Sequence, residues 1–285
     1  MFIFLLRTLW RLIVLAAGIG LIILIIELFP YAQAQLPIAV VLLIIWCLAA
    51  YVFIPALIRL HRVFIKPNHI PHYAGTGDGW PSDPVMLAVI AKDKKQLELA
   101  MNESGWITAD PLTIKNGFME VISILFNTSY PAAPLSNLYL FNRAHDIGFE
   151  IPTNAAGSAR TRHHVRFWRL EEPAATDKNV THYNFWVKKL RHLLKTEREI
   201  WIGAATEETH PIDIQWHTGQ LTHGGSHDAV RERDYIIKTL KDAKLVRSVH
   251  TTKPGKEVTF RGQQFQTHYV TDGSLKVIEL KRNLR

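Results

Sequence analysis

The sequence predicts an α+β protein: a two-helix transmembrane hairpin followed by a soluble domain with a mostly antiparallel sheet and about three or four helices. Three observations predict it. Two long apolar runs sit close together near the N-terminus, separated by a short turn. Beyond them come short runs rich in β-branched and aromatic residues, bounded by Gly, Pro, Asn and Asp. Between those runs lie stretches whose apolar residues recur at helical spacing.

Residues 12–29 carry one charge, Glu27, and residues 36–58 carry none. At about 1.5 Å rise per residue, either run can cross a hydrocarbon layer roughly 30 Å thick. Pro30 opens the turn between them, and Trp10, Phe29 and Tyr31 suit the membrane interface. Arg7 and Arg11 precede the first run, Arg59, Arg62 and Lys66 follow the second, and the connecting turn has no Lys or Arg. Both termini are therefore expected in the cytoplasm. Arg7, Arg11 and Ala32-Gln-Ala34 also fit a cleaved signal peptide. Glu27 and the immediate second apolar run speak against it.

Residues 1–66 form the anchor, 67–84 a linker, and 85–285 the soluble domain. The anchor holds five of the 33 Lys and Arg and one of the 25 Asp and Glu, leaving +4 on the remainder. That is too mild for nucleic acid, and no motif supports such a partner. The sole cysteine, Cys47, lies in the second apolar run, so the soluble part has no disulfide framework and no Cys-based zinc site.

The linker is rich in Pro, Gly and His, and Asp78 and Asp83 read as turn formers within it. Residues 85–91 read as a strand. A helix follows from Lys92, with Leu97, Ala100 and Met101 at helical spacing and Gly105 as its stop. Residues 111–126 form a second helix, with Ile114, Phe118, Val121, Ile122 and Leu125 along one side. Residues 138–141 and 147–151 are strands around a turn.

Residues 160–168 are the centre of the domain's chemistry. In a strand, Arg160, Arg162, His164, Arg166 and Trp168 share one face, and Thr161, His163, Val165 and Phe167 the other. The second face suits a core. The first gathers three guanidiniums, which repel unless an anion or carboxylate stands opposite. Residues 171–179 are a loop, and 182–195 a basic amphipathic piece that packs on the domain or lies against the anionic leaflet.

Residues 199–206 and 213–217 read as strands, with a turn at Gly219. Gly224 and Gly225 precede Ser226, the expected N-cap of a helix running to about Lys244. A helix start preceded by glycines can receive an anion. Arg233 falls inside this helix's apolar stripe of Val230, Ile236, Ile237 and Leu240, where a charge needs a carboxylate or ligand. Residues 245–251, 263–270 and 275–280 are strands, the last two joined in a hairpin at Asp272-Gly273.

Three functions compete. In the first, Arg160, Arg162 and Arg166, with Arg233 from the helix, clamp a phosphate-bearing or other anionic ligand such as a phospholipid headgroup. His164 and His223 then supply acid–base chemistry if an ester is hydrolysed. In the second, His217, His223 and His227, with His163 and Asp228, hold a divalent metal for hydrolysis. Spacings of six and four residues permit this but are not diagnostic in a chain with 14 histidines. In the third, the domain is a non-enzymatic membrane scaffold. Expected partners are the bilayer, an anionic small molecule or headgroup, and a neighbouring membrane protein.

An ordered series of short motifs runs through the chain: Asp83-Pro-Val, Ala109-Asp-Pro-Leu-Thr, Leu138-Tyr-Leu-Phe, Arg162-His-His-Val-Arg-Phe-Trp168, Trp201-Ile-Gly-Ala-Ala-Thr206, Thr222-His223 and Glu232-Arg-Asp234. The series resembles the LssY C-terminal-like domain of bacterial membrane proteins. The resemblance implies a bacterial inner-membrane setting and a lipid context, because such domains often sit beside membrane phosphatase modules. It implies no particular activity. The phosphatase module is absent: no Lys or Arg precedes a Pro-Ser-Gly-His, and Gly225-Ser226-His227 has its residues in another order.

Overall fold

The computed structural model describes residues 36–55, 72–77, 80–140, 143–170, 198–216, 218–252, 258–261 and 268–282, with scattered positions between 16 and 34. Half of the first apolar run, the end of the second, residues 67–71 and 171–197, all of 262–267 and His217 lie outside the described residues. The chain divides into two compact units. One comprises 1–66, 77–79 and 215–220, and the other 67–76, 80–214 and 221–285.

In the first unit, α1 (Ile38–Leu48) runs into a π-helical turn, Ala49–Phe53. Among the described residues, no helix is long and apolar enough to cross a membrane. α1 is nonetheless apolar on every side, with Ile38, Val40, Leu42, Leu43 and Ile44 all exposed.

The second unit is α+β. Its strands are β1 (Tyr73–Gly75), β2 (Pro81–Ala91), β3 (Ile107–Thr108), β4 (Tyr139–Leu140), β5 (Arg143–Ala144), β6 (Ile147–Pro152) and β7 (Arg162–Arg169), followed by β8 (Glu199–Ile214), β9 (Leu221–Gly225), β10 (Val246–Thr252), β11 (Val258–Arg261), β12 (His268–Thr271) and β13 (Leu275–Leu280). The main sheet runs β3-β6-β7-β8-β2-β1-β4-β5, with β9 on β8 and β13 joining β2 to β10. Its pairs are antiparallel except β2 with β13.

The helices are α2 (Lys94–Glu103), α3 (Ile114–Phe126) and α4 (Ala229–Asp242). Each starts on a side chain that accepts from an otherwise unbonded backbone N–H: Asp93 from Gln96, Thr113 from Asn116, Asp228 from Arg231. The N-cap of α4 is therefore Asp228, not Ser226. Gly105 follows α2 with φ +90°, a conformation that suits glycine.

Strand alternation sorts the core onto two faces. Leu87, Val89, Phe149, Val165, Phe167 and Trp201 pack under Leu97 and Met101 of α2 and Ile236 and Leu240 of α4. On the other face Ala88, Ile90, Trp168, Ile200 and Ile202 pack against Ala74, Leu138 and Leu140, so the edge of the sheet itself covers this side. The two faces expected for 160–168 are thus both present.

Several sequence expectations are corrected. β2 starts at Pro81, so Asp83 sits inside the sheet rather than in a linker turn. β8 is continuous through 16 residues where two separate strands were expected. Gly224 and Gly225 do not form a loop for an anion: they pair with His210 and Glu208 as part of β9. A Cβ on Gly224 would stand 3.0 Å from that of His210, so a residue without a side chain suits this close approach. β12 pairs with β11, not with β13, so the hairpin at Asp272-Gly273 is not formed. The side of α3 expected in the core is exposed at Ile114, Phe118, Val121 and Leu125, Ile114 by 96%.

Candidate functional site

The polar side chains of β7 meet those of β2, β6, β8, β9 and α3 at one end of the second face. Arg162 is 2% exposed, and each of its nitrogens donates to a different carboxylate. Nε reaches Glu208 Oε2 at 2.7 Å, Nη1 reaches Glu150 Oε2 at 2.7 Å, and Nη2 reaches Glu120 Oε1 at 2.9 Å. Arg166 donates through Nη1 to Asp83, and through Nε and Nη2 to the carbonyl and hydroxyl of Ser136. Between the two arginines, His164 Nε2 lies 3.1 Å from Asp83 Oδ2 and Nδ1 lies 3.5 Å from Glu208 Oε1. His223 on β9 closes the group, its Nδ1 3.9 Å from Glu208 Oε1.

Register explains this convergence. Glu150, His164 and Thr206 stand directly opposite one another across β6, β7 and β8, and Glu208 stands opposite Arg162. Side chains at matched positions of neighbouring strands share a face at about 5 Å. The network therefore follows from pairing, not from a loop.

Burial and charge set the ionisation of the group. Burial pushes the Glu150 carboxyl up to about 8, and Arg162 offsets this only in part. Burial acts the same way on Asp83, but Arg166 and then His164 overcome it and bring Asp83 down to about 2. Glu208 is likewise held below the ordinary carboxylate range by Arg162, with His223 and His164 behind it. Near neutral pH, Glu150 thus keeps its proton while Asp83 and Glu208 are charged.

Four acidic side chains, Glu150 among them as the neutral acid, therefore face two guanidiniums. Of the two expected counterparts to the guanidiniums, an anion or a carboxylate, the structure shows the protein's own acids opposite Arg162 and Arg166. Arg160 lies just before β7 and donates to the carbonyls of Ile124 and Leu125, satisfying the last turn of α3. Arg233 does not join the network. It is buried on α4 and donates to Asp234, Asp272 and the Ser274 hydroxyl. The charge within the apolar stripe has its carboxylates, as burial requires.

Among the described residues, four buried atoms in this patch have no hydrogen-bond partner: Glu150 Oε1, His164 Nδ1, Thr206 Oγ1 and His223 Nε2. The expected metal set is not brought together among those residues. His223 belongs to the Arg162 network, His227 and Asp228 are exposed where α4 begins, and His217 lies outside the description. Metal-capable atoms instead meet at His163, Glu207 and Glu232, on the opposite face.

Asp83, Glu120, Glu150 and Glu208 were missed as site residues. Glu150 gave a readable signal, standing between Phe149 and Ile151 in an otherwise apolar strand. Glu120 gives no such signal, because a charge on an amphipathic helix is ordinary.

Fold and site together define an α+β domain with a buried arginine–histidine–carboxylate network on one sheet face. The chain belongs to the LssY C-terminus family, whose model matches residues 67–275. Four of the motifs that carried the resemblance supply this network, through Asp83, Arg162, His164, Arg166, Thr206 and His223. No curated protein and no solved structure matches the chain.

Proposed function

We propose that the protein is a scaffold held at the bacterial inner membrane by its N-terminal apolar segment, with both termini in the cytoplasm. In this reading the arginine network locks the sheet and does not grip an anion. The observation that carries it is Arg162, whose three nitrogens each end on a separate carboxylate in a buried setting. An incoming phosphate would have to compete with four acids for two guanidiniums, at a cost in charge repulsion. The apolar surface all round α1 supports the anchor, because a helix apolar on every side is at home in lipid.

Titration calorimetry of the detergent-purified chain with inorganic phosphate and with phosphatidylglycerol vesicles tests the scaffold reading. It predicts no saturable heat, and a lower unfolding temperature in Arg166→Ala. Saturable phosphate binding that is lost in a well-folded Arg166→Ala would reinstate the anionic ligand.

One observation favours a second reading. The unpartnered atoms of Glu150, His164, Thr206 and His223 combine a proton-holding carboxyl with imidazoles beside a charged carboxylate. That is the composition of an acid–base centre acting on a neutral, hydroxyl-bearing ligand. Its mark would be Thr206→Val and His223→Gln variants that keep wild-type stability yet lose binding of a polyol probe such as glycerol.

A further inference from the structure

On the sheet face opposite the arginine network, His163 of β7 and Glu207 of β8 are direct cross-strand partners. Glu232 comes down onto them from the first turn of α4. Its Oε2 lies 2.7 Å from His163 Nδ1, and one candidate ligand atom from each of the three residues lies within 4.8 Å of the others. The imidazole stacks on Tyr235 with ring centroids 4.2 Å apart, which fixes its plane.

We propose that His163, Glu207 and Glu232 form a binding site for a divalent transition-metal ion, with zinc the natural probe. Two carboxylates and one imidazole are a donor set that first-row divalent ions accept. Ligands at about 2.0–2.2 Å from such an ion stand roughly 3.0–3.5 Å from each other. The partly exposed Glu207 side chain can make the small inward swing this requires. Three protein ligands leave at least one coordination position for water.

Two further observations point to a cation here. Glu232 is 2% exposed, and its Oε1 is buried with no hydrogen-bond partner among the described residues. A buried carboxylate oxygen left unpaired costs free energy that a bound cation would recover. Second, among the described residues no Lys or Arg forms an ion pair with Glu207 or Glu232. The arginine network on the other face is saturated with such pairs, so the two faces treat their acids differently. The site is independent of the scaffold reading, shares no side chain with the network, and keeps only His163 of the histidine set that spacing favoured.

The test uses the full chain in detergent, dialysed against EDTA and titrated with zinc chloride alone. The expected result is one tight zinc ion per chain and an unfolding temperature raised by several degrees at saturating zinc. Glu207→Ala, at a partly exposed strand position, should fold as wild type without metal, bind zinc at least tenfold more weakly, and lose the thermal shift. Glu232→Gln should behave alike in binding. Should wild type bind no stoichiometric zinc, or should Glu207→Ala and His163→Gln bind it as tightly as wild type, the site is refuted; binding by the chain's other histidines would give that second pattern.

Discussion

Arg162→Met removes the positive centre of the network and keeps a side chain of similar length. Glu120 is partly exposed and can turn to water, and Glu150 already favours its neutral form. Glu208 is then the main charge left behind, buried beside Asp83 with only imidazoles near it. Removing one partner of a buried pair typically costs about 3–5 kcal/mol. For a domain of this size each kcal/mol lowers the unfolding temperature by about 2–4 °C, so the expected drop is roughly 6–20 °C. Tryptophan fluorescence reports it directly, because Trp106, Trp168 and Trp201 are all buried in the core. The triple variant Arg162→Met, Glu150→Gln, Glu208→Gln removes the opposing charges together and should recover more than half of the loss. An Arg162→Met protein that melts within about 2 °C of wild type would refute the structural role, since a buried guanidinium bonded to three acids cannot then be holding the sheet.

Glu150→Gln should flatten the pH dependence of stability. The folded state raises this carboxyl from 4.5 to about 8, so its contribution is present below pH 4.5 and fades as pH rises through 8; the variant should lose that alkaline decline in urea titrations. The Asp83 contribution runs the other way, present above pH 3.8 and lost as pH falls toward 2, so the acid limb should persist in Glu150→Gln and shrink in Asp83→Asn. Gly203→Ala would place a Cβ 2.8 Å from Phe167 Cε1 and 3.0 Å from Leu87 Cβ, and should cost about 1–3 kcal/mol by overpacking, read as a lower denaturant midpoint. Leu43→Arg puts a charge within α1 at a cost of about 2.5–3.5 kcal/mol for a lipid-embedded position, and should shift the protein out of the membrane fraction on flotation.

Much of this was legible where the signal is local. Alternation placed Val165 and Phe167 against Arg162, His164 and Arg166 on opposite faces, because the strand period is two regardless of context. Arg233 announced its need for a carboxylate by interrupting an apolar stripe, and Asp272 and Asp234 answer it. What answers Arg162 was not legible. Glu150 and Glu208 come from two strands that the sheet register brings together, and Glu120 comes from α3. Alternation also puts His163 and His164 on opposite faces, His164 among the arginines and His163 beside Glu207 and Glu232. Paired glycines usually mark a loop, whereas here Gly224 and Gly225 lie in β9 and Gly224 lets it approach His210 closely.

The side-chain Nε–H resonances of Arg162 and Arg166, observed by nitrogen-15 NMR on the full chain, test the central claim most directly. Guanidiniums closed by the protein's own carboxylates and carbonyl should give distinct Nε–H signals that exchange slowly with water and stay fixed as inorganic phosphate is added to millimolar levels. Signals that exchange rapidly, or that move together along a saturable phosphate curve, would mean that the arginines face a ligand and not the fold.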